Sequence, residues 1–422
     1  MKKALFTVII AGMLLIFIGC FSPYSGDEGT ITISFGGSDR AADWPPSNEV
    51  LSELVHRVTL KGPGGNEENH TIGKGKVTAK FTVVPGQWQI NVVGFYNSEP
   101  YAGGLESIEV KGGQSNSIRI TMEKIIPITS NVNNLSEWEH EVSVIKSGGN
   151  DKSYIITLGG NVFIPGITVP TFGSVTGIAV TIQGSGISPG SCGLTLNSNG
   201  SLLYIGANQK VTIEDAQLVG QGTGINNNTS LVMVNGGAFT MNSGLISSNT
   251  TTVSGSIGGV YINNSSIFTM NSGKVSDNTG STAGGVYINN NSIFTMNGGE
   301  VSGNIATANA GIGGVYVRDN KDSFYMNGGV IYGNTAAGTS GTGGVESITG
   351  TFRMTNGIIV GSSDYIYGGT TYTKNTGVTA TLYTGSNNKV TYGTVSSGGT
   401  SGGLIITSYA SNATIHVIDG VK

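Results

Sequence analysis

The sequence is poor in charged residues, which make up 11% of its 422 positions against about 25% in an ordinary soluble protein. The formal net charge is −4, and we predict no nucleic-acid partner because such a partner requires clustered Lys and Arg. Low charge together with 69 Gly can indicate disorder. Disorder is disfavoured here because 37% of the residues are hydrophobic, and they stand in short alternating runs that can bury one face of a strand.

Cysteine and histidine are also scarce. The two Cys are Cys20 and Cys192, and modification of the first would leave the second without an intrachain disulfide partner. The four His have no pair at a metal-ligand spacing, and none lies in the repeats described below: His56, His70, His140 and His416. We therefore predict no metal site, no cofactor and no catalytic triad, and we interpret Cys192 as a small buried residue.

A long apolar run occurs at the start of the chain. Residues 4–18 are apolar, they follow Lys2 and Lys3, and they end at Gly19 and Cys20, which is typical of a secretion signal. The end of this run resembles a bacterial lipobox, with Phe17 where Leu is usual, as in relaxed spirochaetal lipoboxes. The resemblance implies a lipoprotein signal peptide over residues 1–20, acylation of Cys20, a linker over residues 21–29, and a membrane anchor. A secreted protein with an unmodified Cys20 is the alternative.

The implied location is the outer membrane or cell surface of a diderm bacterium.

Residues 30–126 contain short alternating runs at about ten-residue spacing with Gly, Pro and Asn between them, which predicts a β-sandwich. The segment VVPGQWQINVVGFY, residues 83–96, resembles the turn hairpin of bacterial Ig-like and transthyretin-like modules. That resemblance implies the fold alone, and we interpret Trp88 as a core aromatic residue.

One phrase is repeated five times in the middle of the chain. Its copies begin 26 to 30 residues apart, at Phe239, Phe268, Phe294, Phe324 and Phe352. In each copy Met follows two residues later, Gly five residues later, and Val or Ile seven residues later. Such fixed spacing is the signature of a solenoid, whose stacked columns of identical side chains form extended surfaces.

Each repeat contains three short apolar runs, which matches one turn of a right-handed parallel β-helix. We predict this fold, with terminal caps, for residues 127–422, with regular repeats over about residues 230–360. Alternation places the Phe, the Met and the residue at plus seven inside. Asn recurs at plus three and at plus ten, where its amides can form ladders: Asn242, Asn271, Asn297, Asn327, and Asn249, Asn278, Asn304, Asn334.

The GGVY segments at Gly258, Gly284 and Gly313, together with the F-x-x-N phrases, resemble the GGA[ILV] and FxxN repeats of polymorphic outer membrane proteins. The longer phrase FTMNGG-x-[VI]-SGN resembles repeats of spirochaetal surface lipoproteins. The resemblance covers about residues 230–360 and implies adhesion to a host or another surface. The fifth repeat departs from the pattern, since it has GGVE at Gly343 and Thr355 in place of the Asn.

Parallel β-helices also include polysaccharide lyases and hydrolases, which require clustered carboxylates. The acidic residues of the repeats do not recur in register, so we predict a noncatalytic role. A polysaccharide-active β-helix enzyme is the first alternative, and a passive structural component of the envelope is the second.

An outward column in the GGVYI run is the candidate binding ladder, formed by Tyr261, Tyr287 and Tyr316 between Met233 and Glu346. Tyr325 and Arg353 belong to the adjacent outward column. Stacked Tyr rings can bind a polysaccharide or a host or matrix protein, or they can simply stabilise the pairing between turns. The loops after the plus-ten Asn residues form a second candidate surface.

Overall fold

The structure is a computed structural model, and it describes residues 27–36, 47–97, 99–125, 127–186, 192–222, 224–361, 364–367 and 370–377, with short backbone segments at 382–384, 389–391, 403–406 and 415–417. Cys20 and the predicted signal lie outside these residues. The chain divides into two compact units, Met1–Ile125 and Ile126–Lys422. Among the described residues, no helix has both the length and the apolar character needed to span a bilayer.

The first unit contains two sheets that share one hydrophobic core. The smaller sheet has the strand order Thr78–Val83, Gly29–Gly36, Ser115–Thr121. The larger sheet is antiparallel and has the order Glu67–Ile72, Val55–Lys61, Gly86–Tyr96, Glu99–Val110, Glu123–Lys124. A short α-helix, Asn48–Glu53, and a 3-10 turn, Pro63–Gly65, connect strands.

The core of this unit explains why its strands alternate in polarity. Ile31 and Ile33 of the smaller sheet and Val58 of the larger one are fully buried in the same cluster. Trp88 is 1% exposed, and its indole nitrogen donates to the carbonyl oxygen of Val84 at 2.8 Å. Trp88 is therefore a core residue, as predicted.

The second unit is a parallel β-solenoid of right-handed type, with about eight turns over residues 128–359. Its first turn carries the α-helix Leu135–Ser147, which Asn134 caps by accepting from the backbone N–H of Glu137 at 3.0 Å. The Glu137 carboxylate accepts in return from the backbone N–H of Asn133 at 2.7 Å. Trp138 and Ile145 of this helix are buried in the solenoid core.

Three long sheets run along the solenoid, and we name each by its most regular column. The Phe sheet stacks the strands Ile128–Val132, Ser153–Leu158, Ala179–Gly184, Lys210–Glu214, Ala238–Met241, Ile267–Met270, Ile293–Met296, Ser323–Met326, Thr351–Met354 and Lys389–Thr391.

The Tyr sheet stacks Leu203–Ile205, Val232–Asn235, Val260–Asn263, Val286–Ile288, Val315–Val317, Val345–Ser347 and Leu382–Thr384. The Val sheet stacks Asn161–Ile164, Gly193–Leu196, Gln217–Val219, Leu245–Ser247, Lys274–Ser276, Glu300–Ser302, Val330–Tyr332 and Gly357–Val360. A smaller parallel sheet joins Thr279–Gly280, Ile305–Ala306 and Thr335–Ala336.

The parallel order changes near the C-terminal end. Gly403–Ile406 pairs antiparallel with the last parallel strand of the Val sheet, and Ile415–Val417 pairs antiparallel with Gly403–Ile406. Tyr365–Tyr367 and Thr370–Tyr372 form a separate hairpin. The parallel order of the Val sheet therefore ends at Gly357–Val360.

The predicted inward columns are confirmed. The five Phe residues pair with one another from turn to turn and are fully buried. Their ring centroids lie 4.8 to 5.3 Å apart. The Met at plus two and the Val or Ile at plus seven are also fully buried, so the repeated phrase encodes the core.

The buried Asn ladder at plus ten is confirmed as well. Asn304, which is 0% exposed, donates from Nδ2 to Oδ1 of Asn334 at 2.9 Å and to the carbonyl of Val275 at 2.9 Å. Its Oδ1 accepts from the backbone N–H and from Nδ2 of Asn278, both at 3.1 Å. The ladder therefore satisfies buried polar groups of adjacent turns, which an apolar residue would leave without partners.

Candidate functional site

The outer face of the Phe sheet presents a column of threonines. Side chains of a strand alternate between its two faces, so the residue between each inward Phe and Met points outward. Strand pairing aligns five consecutive threonines in this position: Thr181, Thr212, Thr240, Thr269 and Thr295. The next two turns carry Tyr325 and Arg353 in the same column.

An exposed Asn ladder runs beside this column, formed by the plus-three residues Asn242, Asn271, Asn297 and Asn327. Each Nδ2 donates to Oδ1 of the Asn in the preceding turn, at 2.9, 2.9 and 3.0 Å. At its ends Asn242 donates to the Glu214 carboxylate at 2.9 Å, and the Thr355 hydroxyl donates to Asn327 Oδ1 at 2.9 Å. The Asn ladder predicted from the sequence is thus continuous over four turns, and its hydrogen bonds reach one further turn at each end.

A second amide ladder lies where the Tyr sheet turns into the Phe sheet, and we call it the edge ladder. Asn264 donates to Asn235 Oδ1 at 2.6 Å, and Asn290 donates to Asn263 Oδ1 at 2.9 Å. Asn264, Asn290 and Asn291 have φ values of 57°, 53° and 64°. Asn tolerates this left-handed backbone better than most residues, which explains its repetition in these turns.

We call the surface between these ladders the Thr–Asn face. It consists of the threonine column from Thr240 to Thr295, the exposed Asn ladder from Asn242 to Asn327, and the edge ladder; Ile267 and Ile293 stand between the edge ladder and the threonines. Every residue from 238 to 327 is described, and these columns contain no charged side chain from residue 238 to residue 297. In the next turn Arg318 aligns with Asn289, and Asp319 and Lys321 line one surface pocket with Asn290. The Lys274–Glu300 ion pair, at 3.0 Å, belongs to the Val sheet.

The tyrosine column is stacked and largely covered. Ring centroids of Tyr261 and Tyr287 lie 5.2 Å apart, and those of Tyr287 and Tyr316 lie 5.0 Å apart. Tyr287 and Tyr316 are only 5% and 9% exposed. They form a small hydrophobic cluster with Ile257, Ala283 and Ile312, which pair from turn to turn in the loops that follow the plus-ten Asn residues.

The tyrosine hydroxyls are engaged by polar side chains of neighbouring turns. Tyr261 accepts from Asn289 Nδ2 at 3.2 Å, and Tyr287 accepts from the Arg318 guanidinium at 2.9 Å. Burial raises the pKa of Tyr316 to about 12. The Tyr316 phenol therefore remains neutral at physiological pH and is not suited to act as a general base.

Glu346 follows Tyr316 in the same column on the next turn. It is 9% exposed, and its carboxylate accepts from the Thr342 hydroxyl at 2.6 Å. Burial raises the pKa of Glu346, and this hydrogen bond opposes the shift. Tyr325 and Arg353, which were predicted in the adjacent outward column, extend the threonine column of the Phe sheet.

Two carboxylates of the repeats, Glu300 and Asp322, have structural partners. Glu300 pairs with Lys274 and accepts from the Tyr332 hydroxyl at 2.8 Å. Asp322 is fully buried and accepts from the backbone N–H groups of Ser292 and Asp319 at 3.0 and 2.8 Å. Within the described residues, no group of three or more His, Cys, Asp or Glu is placed to hold a metal ion.

Two features of the site were not predicted from the sequence: the full length of the threonine column and the cover over Tyr287. The threonine column has a signal in the sequence, since Thr follows Phe in three of the five phrases, but only the pairing register shows that it continues to Thr212 and Thr181. The cover over Tyr287 also has a signal, because Ile257, Ala283 and Ile312 each directly precede a Gly-Gly pair.

Cys192 is buried, with its sulfur 3.3 Å from the Ser185 hydroxyl.

Comparison of the chain with protein-family models, with curated proteins and with solved structures finds no match. The function must therefore be inferred from the geometry of the chain itself.

Proposed function

We propose that this chain is a lipid-anchored β-helix protein of the cell surface that binds a glycan, matrix or host-surface partner without catalysis. The observation that carries the proposal is the repetition of exposed side-chain columns over consecutive turns. Such columns form an extended surface, whereas catalysis needs a few different groups that converge on one reacting atom.

The anchor rests on the sequence around Cys20. Acyl chains on this residue would hold the protein at a membrane by burying methylene groups, each contributing about 0.8 kcal/mol. The first unit then serves as a spacer of Ig-like or transthyretin-like type. The GGVY and F-x-x-N repeats favour an adhesin related to polymorphic outer membrane proteins or spirochaetal-type surface lipoproteins.

A passive structural role in the envelope is the second candidate function. The cover over Tyr287 and Tyr316 favours it, because a buried tyrosine stack contributes to cohesion between turns and offers little surface to a ligand. The two functions differ in whether purified protein retains an outside partner.

The test is a binding array that presents glycans and extracellular-matrix proteins to the purified chain. We expect retention on at least one class of partner, and no retention on any spot would contradict the binding proposal. Growth with a palmitate analogue tests the anchor separately. The native protein should be labelled and a Cys20→Ser variant should not, and equal labelling of the two would contradict acylation at Cys20.

A further inference from the structure

We propose that the Thr–Asn face binds an extended, uncharged polyhydroxylated polymer, a neutral polysaccharide, along the axis of the stacked turns. This inference rests on the proposed binding function and assigns it a surface and a ligand class. Its basis is the presence of a threonine column, an aromatic ring and two amide ladders on the outer face of the Phe sheet and on the turns that lead into it.

The amides of the exposed Asn ladder retain hydrogen-bonding capacity. A primary amide has two N–H donors and an oxygen with two lone pairs. In Asn297, one donor binds Asn271 Oδ1 and the oxygen accepts from Asn327, which leaves one donor and one lone pair. Asn271 and Asn297 are both exposed, so each turn offers a donor and an acceptor, the complement of a hydroxyl group.

The ladder also fixes these side chains before a ligand arrives. Each amide is held by hydrogen bonds to both neighbouring turns, so binding immobilises few additional rotamers. Ordering a free side chain at an interface costs roughly 0.5 to 1.5 kcal/mol. The face is therefore pre-organised for a ligand that contacts many turns weakly.

The spacing of the face favours a ligand that is itself repetitive. Successive turns present the same group about 4.8 Å apart, the separation of neighbouring strands. A polymer with one sugar per similar distance can place equivalent hydroxyls on equivalent amides over several turns. A compact ligand would use only one or two of them.

The charge of the face selects among polymers. The columns of the face have no charged side chain from residue 238 to residue 297, so this part of the face offers no ion pair to an acidic or basic polymer, and burying an unpaired charge is costly. Tyr325 stands at the end of the threonine column, half-buried. Its ring can pack against the apolar face of a sugar.

Affinity electrophoresis tests this inference with two neutral polysaccharides, xyloglucan and mannan, and one acidic polysaccharide, polygalacturonate. The full native chain should be retarded by a neutral polymer and not by the acidic one. A Thr269→Lys/Thr295→Lys variant should bind at least about tenfold more weakly, because two lysines would be desolvated without partners under the ligand.

The matched control is Val253→Lys/Ile305→Lys, which adds the same charge at exposed positions of the covering loops. This variant should bind the neutral polymer like the native chain, and both variants should melt as cooperatively as the native chain. Equal binding by the face variant and the native chain, or loss only in the loop variant, would overturn the inference. Retention on a matrix protein but on no neutral polysaccharide would overturn this inference and leave the proposed binding function in place. No retention on any partner would contradict both the inference and the proposed binding function.

Discussion

The two Asn ladders allow one prediction that separates a structural amide from a surface amide within a single repeat. Asn304→Ala removes a fully buried side chain that makes four hydrogen bonds to the turns on either side. The backbone N–H of Asn278 and the carbonyl of Val275 would lose these partners. Each unsatisfied buried group costs about 1 to 3 kcal/mol, so we expect a loss of roughly 3 to 5 kcal/mol in the free energy of unfolding.

Asn297→Ala is the control, seven residues earlier in the same turn. Asn297 is exposed, and it also bonds to the Asn of each neighbouring turn. Water can replace these partners, so its loss should cost about 0.5 to 1.5 kcal/mol. Urea unfolding followed by circular dichroism measures both variants against the native chain. Equal losses for the two variants, or a loss below about 1 kcal/mol for Asn304→Ala, would refute the proposed distinction.

Three further predictions concern the core and the buried titratable groups. Phe294→Ala should lower the free energy of unfolding by about 3 to 5 kcal/mol, since its ring stacks on both neighbouring turns; urea titration would contradict the assigned register if the loss were negligible. Burial raises the folded-state pKa of Glu346 above its unfolded value of 4.5. The free energy of unfolding therefore decreases as the pH rises from 4.5 to the folded-state pKa. Glu346→Gln should therefore melt higher than the native chain at pH 7 and lose this advantage in acid, and an equal melting temperature at pH 7 would argue against the burial. Burial lowers the folded-state pKa of His56 below its unfolded value of 6.5, so the first unit should lose stability as pH falls below 6.5. His56→Leu should reduce the dependence of this unit's stability on pH. An unchanged pH profile of stability in this variant would contradict the assignment of the effect to His56.

The sequence predicted the register of the solenoid because its core columns recur with fixed chemistry. Phe, Met and the β-branched residue at plus seven can occupy one inward position each, and Asn at plus ten is the polar group that a buried turn requires. Because side chains alternate between the two faces of a strand, placing one of these residues inside fixes the direction of its neighbours. Their burial and pairing could therefore be predicted residue by residue.

The surroundings of the tyrosine column could not be predicted in the same way. The loops that cover Tyr287 and Tyr316 differ in length from turn to turn, so Ile257, Ala283 and Ile312 have a fixed spacing to the Tyr of their turn but not to the preceding plus-ten Asn. Their alignment depends on bridges that form only when the turns stack. Alternation correctly placed the tyrosines outside the main core, but it carries no information about what packs over them.

This difference moves the candidate surface from the Tyr sheet to the Phe sheet. Tyr325 and Arg353 were predicted as neighbours of the tyrosine ladder, and the pairing register places them at the end of the threonine column. The sequence repeats that encode the core thus also place Thr and Asn at fixed positions outside it. A surface of this kind can lengthen by whole turns without a change in its chemistry.

The central claim is that the repetitive surface binds without catalysis, and co-sedimentation with an insoluble neutral polysaccharide such as chitin or cellulose tests it most directly. The pellet reports bound protein, and the supernatant is assayed for new reducing ends and unsaturated sugars. We predict that the native chain is retained with its polymer intact, and that the Thr269→Lys/Thr295→Lys variant stays in the supernatant. Release of soluble sugars by the native chain would contradict the account.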